Sequence, residues 1–349
     1  MTHCEAVELL KKIIAIPSFS GKEEAVADLM VATLNIYGFK VCRKGNNVWA
    51  RTDGFDKSKP VILLDAHIDT VKPNGAWEAD PFDPVEKDGK LTGLGSNDTG
   101  GSIVSMLAAF IALSRKRQAY DLIYLNSAEE ENTGKNGIQS VVEELGQVDL
   151  ALIGEPTGMQ AAVAEKGLMV LDCVARGKAG HAARNEGVNA IYEALPDIEW
   201  FRTYRFPKVS ETLGEVKMTV TGVSAGTLHN MVPAECTFMV DIRVNENYTN
   251  QEVFETIREH VKCEIHPRSF SLNSSRIDAG HPAVQRCKAL GLTTYGSPTT
   301  SNQAVLPYTS LKIGPGDSAR SHTANEYIYV REIEEGIDTF ITLLNGFNF

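Results

Sequence analysis

Apolar residues fall with helical spacing over residues 4–15, and the pattern stops ahead of Pro17, before which a helix is sterically discouraged. The segment SGKEEAVADLMVATLNIYGF predicts a second helix, opening with Ser20 as cap and ending at Gly38. Three runs then show no alternation: PVILLDAH at 60–67, DLIYLNSAEEE at 121–131 and DLALIGEPT at 149–157. Continuous apolar runs of this length suit strands buried on both faces, as in a parallel sheet covered by helices. Between them, GGSIVSMLAAFIALSRK and GKNGIQSVVEEL predict helices. Strands alternating with helices indicate an α/β domain.

The pattern changes near residue 165. GLMVLDCVARG, VKMTVTGVSAG and ECTFMVDIRV alternate as strands with one buried face, and NEGVNAIYEAL and NQEVFETIREHV predict helices. This is an α+β segment over 165–270, inserted into a first domain formed by 1–164 and 271–349. HPAVQRCKAL, SLKIGPG and a closing helix REIEEGIDTFITLL belong to the return. No internal repeat or low-complexity stretch interrupts the chain.

A chain of 349 residues, 43% hydrophobic, has room for two such domains and a sizeable core. Its net charge of −11 offers no electrostatic footprint for nucleic acid and argues against an anionic membrane surface. Six scattered cysteines without a CxxC pair fit reduced thiols in the cytoplasm. The N-terminal segment lacks a basic stretch followed by a long apolar run, so no signal peptide is expected. No stretch approaches the ~18 apolar residues of a membrane span.

The chemistry lies at the ends of the apolar runs. Ligands of open α/β sheets gather beyond the carboxyl ends of the strands. There the chain carries His67 and Asp69, then Glu129, Glu130 and Glu131, then Glu155. GLGSNDTGG adds Asp98 ahead of a helix, and GPGDSARSHTANE adds His322. Any one of these is an ordinary loop residue. Together they supply a bridging carboxylate, one further carboxylate per ion and one imidazole per ion, the minimal set for two divalent metals. A phosphate loop is disfavoured, because Gly101 stands where its lysine belongs. A serine elbow is disfavoured too, because GDSAR lacks the closing glycine.

LLDAHIDTV, GLGSNDTGGSIVSML, AEEENTGKNGI, LALIGEPTG, GKAGHAARNEGVNAI, HNMVPAECTFMVDIR and GPGDSARSHTANEYI follow one another in an order that resembles the M20 metallopeptidase and deacylase family. The resemblance implies a zinc-peptidase-like catalytic domain with a mixed, largely parallel sheet, and an inserted ferredoxin-like lid that often forms a homodimer interface. It implies two divalent ions, Zn2+ first, with Co2+ and Mn2+ as alternatives. Asp98 resembles the bridging ligand, His67 and Glu155 the ligands of one ion, and Glu131 and His322 those of the other. Asp69 resembles the carboxylate that orients His67, and Glu130 the general base. The three consecutive glutamates leave a register one residue earlier open. His181 resembles a lid histidine that reaches the neighbouring subunit's active site. Asn230 and Arg243 resemble substrate-binding lid residues, although Arg243 in a strand could instead pair with a structural carboxylate. Gly314 and Gly316 resemble a turn beside the substrate. Thr99 and Asn302 depart from the lysine and aspartate common in the family, and neither is expected to touch a metal ligand.

The expected reaction is hydrolysis of an N-acyl amino acid of the N-acetylornithine, N-acylcitrulline or N-acetyl-lysine type, in arginine or lysine biosynthesis. A di- or carboxypeptidase and a succinyl-diaminopimelate desuccinylase share the chemistry and are the alternatives. A non-enzymatic binding protein would lack a base or a ligand, and none is missing.

Overall fold

The three continuous apolar runs lie side by side. In a computed structural model, which describes residues 1–56, 58–184 and 186–349, Val61–His67 pairs in parallel with Asp121–Ser127 on one side and Leu150–Ile153 on the other. Ser310–Lys312 extends the parallel set beyond Leu150–Ile153, and Ala161–Glu165 follows it antiparallel. Asn47–Arg51 and Val41–Lys44 complete the opposite edge as antiparallel strands. This is a mixed α/β fold with a mainly parallel central sheet.

Every residue of Val61–His67 and Asp121–Ser127 is buried, which is why neither run alternates. Ile62, Leu64 and Tyr124 share one core with Leu10, Met30, Leu107, Phe110 and Phe340 of four covering helices. Leu63, Ile123, Leu125 and Ile153 pack on the other side with Ile138, Val141 and Leu145. The helix Gly101–Ser114 is buried around nearly its whole circumference, so it needs no polar face. Phe110, stacked 5.7 Å from Tyr124, anchors it to the sheet. Emptying that position would cost about 3–5 kcal/mol by the usual scale for large-to-small core changes.

Two local expectations differ. The helix after Ser20 begins at Glu24, and Ser20 does not cap it; its hydroxyl donates to Asp69 Oδ2 at 2.7 Å. GKNGIQSVVEEL forms only a tight turn at Ile138–Val141 and a short helix Val142–Leu145. The reason lies upstream, where Glu129 accepts from both Asn136 N and Asn136 Nδ2 and holds 129–136 as a loop.

The contacts divide the chain into Met1–Val163, Arg276–Tyr295 and Ser301–Phe349 as one unit, and Ala164–Ser275 with Gly296–Thr300 as a second. In the second unit an antiparallel sheet runs in the order Lys217–Ala225, Glu235–Val244, Gly167–Arg176, Glu264–Pro267. Met169, Leu171 and Cys173 alternate into its core with Phe238, Val240 and Ile242. The helices Ala190–Thr203 and Asn250–His260 supply Ala194, Phe201, Val253 and Ile257 to the same core. Thr249 and Glu252 form a reciprocal cap at the start of the second helix. Residues 271–275, read from sequence with the first domain, stay with this unit because Asn250 Nδ2 donates to the Leu272 carbonyl at 2.8 Å. The expected helix NEGVNAIYEAL begins only at Ala190, capped by Asn189, with Val188 bridged to Lys178 instead; its first residue, Asn185, lies outside the described residues. All six cysteines are free. Among the described residues, no helix is long and apolar enough to cross a membrane.

Candidate metal centre

His67 is the last residue of its strand. Its Nδ1 lies 2.9 Å from the Asp69 carbonyl and 3.4 Å from Asp69 Oδ1. Nδ1–H therefore donates to Asp69, which leaves Nε2 as the atom that would coordinate an ion once its own proton is displaced. That Nε2 lies 3.3 Å from Asp98 Oδ1 and 4.0 Å from both Glu130 Oε2 and Glu155 Oε1. The other Asp98 oxygen, Oδ2, is 3.6 Å from His322 Nε2, which lies 3.0 Å from Glu131 Oε2. Asp98 thus stands between two imidazoles, one oxygen toward each.

Loop backbones carry these side chains, and buried carboxylates hold the loops. Asp69 accepts from Glu130 N and Glu131 N, each at 3.0 Å, so it fixes the glutamate turn as well as His67. Glu326, 2% exposed, accepts from Gly95 N, Asn97 N and Asp98 N at 3.1, 2.9 and 2.9 Å. Glu129 and His322 have φ of 53° and 60°, a region few residues other than glycine adopt. Glu129 turns from the cluster to Asn136, while Glu130 and Glu131 face it.

The electrostatics show a surplus of carboxyl groups. Burial, reinforced by Glu131, Asp69 and Asp98 against the opposing pull of His67, pushes the Glu130 carboxyl up to about 8. Burial also raises Glu155 well above the carboxylate range, with Asp98 and Glu130 adding to it. Burial lifts Glu326 to about 8. The hydrogen bond to Glu131 brings His322 up to about 9. For His67, burial acts downward but is outweighed by its hydrogen bonds to Asp69 and Asp98. The cluster thus carries more carboxyl groups than its two imidazoles can offset, which favours protonation of its carboxyls in the absence of a cation. Oxygen and nitrogen donors in this excess fit divalent cations, which would replace those protons. His67, Asp98 and Glu131 offer ligand atoms within 4.8 Å of one another, so donors assigned to either ion converge around Asp98.

Gly314 and Gly316 lie on the strand-end turn beside Glu155. A Cβ at Gly314 would stand 2.5 Å from the Glu155 carbonyl, and one at Gly316, whose φ is 91°, 2.4 Å from Asn97 Oδ1. The structure thus gathers His67, Asp69, Asp98, Glu130, Glu131, Glu155 and His322 in the first unit. His181, Asn230 and Arg243 belong to the second. There His181 is exposed and its Nδ1 accepts from Ala183 N at 3.2 Å, while the Asn230 carbonyl accepts from Ala182 N. Arg243 is forked onto Asp241, with Nε and Nη2 at 2.8 and 3.0 Å from its two oxygens.

Sequence reasoning misses Glu326 and Asn97, polar loop residues with nothing in their spacing to mark them, and it marks Ser20 only as a helix cap. Thr99, expected to touch no ligand, donates its hydroxyl to the His67 carbonyl at 2.8 Å. The turn carrying Asp98 folds back over the end of the His67 strand, which brings Thr99 there. Asn302 donates to Asp65 and Ser127 and meets no proposed ligand side chain.

A family model described as peptidase family M20/M25/M40 matches residues 63–346. The chain is 24% identical to a succinyl-diaminopimelate desuccinylase of Delftia acidovorans over 94% of each chain. It is 26% identical to an acetylornithine deacetylase of Proteus mirabilis over 98% of this chain and 96% of that one. Among solved structures, a tripeptidase of Staphylococcus aureus superposes with a TM-score of 0.80 at 18% identity, covering 99% of this chain and 98% of that one. A dinuclear metal-binding peptidase of Bacillus subtilis does so with 0.73 at 17% identity, covering 98% and 97%.

Proposed function

The chain belongs to peptidase family M20/M25/M40, and on that premise we propose that it is a two-metal deacylase of N-acyl amino acids. The substrate class is N-acetylornithine, N-acylcitrulline or N-acetyl-lysine, cleaved to a carboxylate and a free amino acid. Relatives named for removal of acetyl and succinyl groups support this choice over a peptidase. Arginine or lysine biosynthesis in the cytoplasm is the setting we infer.

The observation that carries the reading is Asp98, whose two oxygens face His67 Nε2 and His322 Nε2 at 3.3 and 3.6 Å. In this scheme Asp98 would be shared by two ions, Zn2+ first and Co2+ or Mn2+ as substitutes. His67 and Glu155 complete one site, and Glu131 and His322 the other. When bound, the ions polarise the acyl carbonyl and make water a stronger acid. Asp69 keeps His67 in the tautomer that leaves Nε2 free to coordinate. Glu130 accepts the proton of the attacking water and returns it to the departing amine nitrogen. His181, its Nδ1 engaged by Ala183, offers Nε2–H as a hydrogen-bond donor that stabilises the oxyanion from a partner chain and keeps its proton. The Gly314–Gly316 turn lies beside the substrate; Asn230 and Arg243 are the second unit's substrate-binding candidates, and a carboxylate bound there has to share the Arg243 fork with Asp241.

A panel of N-acetyl, N-succinyl and dipeptide substrates, assayed with metal-loaded and chelated protein, tests this. We expect turnover of an N-acetyl amino acid, loss of it with chelator and recovery with Zn2+ or Co2+. Cleavage of peptides alone would transfer the site to the peptidase reading. Activity indifferent to chelator would remove the metals from the scheme.

A further inference from the structure

The bridging carboxylate is only as well placed as the turn that carries it. That turn, Gly95 to Gly100, aims three of its backbone donors at one side chain. Glu326 Oε2 accepts from Gly95 N at 3.1 Å, and Oε1 accepts from Asn97 N and Asp98 N at 2.9 Å each. Glu326 lies four residues after His322, on the same loop. A second tie joins the two loops. Asn97 Nδ2 donates to the Asp317 carbonyl at 3.1 Å and to Ser321 Oγ at 3.3 Å, and Asn97 Oδ1 accepts from Asp317 N at 2.9 Å. The start of the His322 loop is pinned as well: Arg320 forks onto Glu332 at 2.7 and 3.1 Å and lies 4.7 Å over the Tyr327 ring.

We propose that Glu326 is a positioning residue that locks the Asp98 turn and the His322 loop into one rigid part, so that the bridging carboxylate and the second imidazole are delivered together. The inference rests on the two-metal reading above. Glu326 touches no substrate and coordinates nothing itself. A neutral, internally satisfied side chain could support the fold at this place. What demands a carboxyl group is the need for an acceptor oxygen at both ends. An amide in the same position must present its NH2 to Gly95 N or to the Asn97–Asp98 pair, and one side of the clamp opens. Loss of an outer partner of a metal ligand typically costs about 10–100-fold in metal affinity.

The test is Co2+ titration of metal-free wild type and Glu326→Gln, followed by the cobalt visible spectrum and by calorimetry. Wild type should take up two Co2+ per chain. The variant should bind its weaker equivalent about 10–100-fold less tightly, with a changed spectrum for that equivalent. The Glu326→Asp variant, which keeps both carboxyl oxygens but shortens the reach by one methylene, should fall between the two. Should Glu326→Gln fail to fold, Glu326→Asp against wild type carries the same comparison. Two Co2+ bound by the variants with wild-type affinity and spectrum would overturn the proposal and leave the metal reading intact. Fewer than two Co2+ bound by wild type would overturn the metal reading itself.

Discussion

Glu130 and Glu131 are neighbours in the chain, yet their side chains meet different imidazoles, His67 at 4.0 Å and His322 at 3.0 Å. The roles proposed for them differ accordingly, and substitution separates them. Glu130→Gln should still bind two metals per chain while kcat falls by about 10²–10⁴, the usual contribution of a general base. Metal content by elemental analysis, read beside single-turnover kinetics, checks this. Near-normal turnover would shift the base to another residue. At this scale the sequence was legible where chemistry demands a residue type, at the imidazoles and carboxylates ending each strand. It was silent where backbone donors select the residue. Nothing in HTANE singles out Glu326, because its partners lie more than 220 positions away at Gly95, Asn97 and Asp98. The glutamate register shows the same limit: sequence left it open, and the tie from Glu129 to Asn136 is a three-dimensional fact.

Among elements, the parallel strands were read correctly because burial on both faces leaves an unbroken apolar run. The helix expected at 134–145 was not, because loop anchors and Gly137 outweigh a periodic pattern only a few residues long. Ser20 shows a competition of the same kind, since a hydroxyl suited to a helix cap is taken by Asp69. The second unit leaves apolar side chains outside. Tyr192 and Leu195 on the helix Ala190–Thr203 are 68% and 53% exposed, and Val223 on the edge strand Lys217–Ala225 is 58% exposed. An edge strand beside an apolar helix face is a surface that another chain can extend. If a second copy covers it, as we propose, Leu195→Asp combined with Val223→Asp should give monomers in sedimentation equilibrium. Metal content should be unchanged. Turnover should drop about 10²–10³-fold with the loss of the partner's oxyanion donor. A wild-type protein that sediments as a monomer would return His181 to an ordinary surface role.

For the molecule as a whole, the proton balance of the metal centre becomes a stability term. Glu130 and Glu326, both raised to about 8, and His322, raised to about 9, hold more protons folded than unfolded. For such groups the unfolded state binds fewer protons, so the free energy of unfolding falls as pH rises through the window between the unfolded and folded values. For the carboxyls that window runs from about 4.5 to 8, and for His322 from about 6.5 to 9. Metal-free protein should therefore melt at a lower temperature at pH 8 than at pH 6. Metal uptake should release protons, and its affinity should rise over the same range. Saturation at 100 times Kd should add about 2.7 kcal/mol of stability. Scanning calorimetry with and without Zn2+, and titration in two buffers of different ionisation enthalpy, measure these quantities. A metal-free melting temperature that climbed from pH 6 to pH 8 would contradict the charge balance drawn here.

The strand Ser310–Lys312 lies between Leu150–Ile153 and Ala161–Glu165, although it follows them by some 150 positions. During synthesis the central sheet therefore waits with a slot in it. At ~5–20 residues per second the interval between residues 153 and 312 leaving the peptidyl-transferase centre is roughly 8–30 s. The inserted segment, whose strands and helices are contiguous in the chain, has that time to fold by itself. Meanwhile one long edge of Leu150–Ile153 stays unpaired on the nascent chain. The last quarter of the polypeptide, which also carries His322, then serves as the keystone: fold closure and completion of the ligand set arrive in the same event.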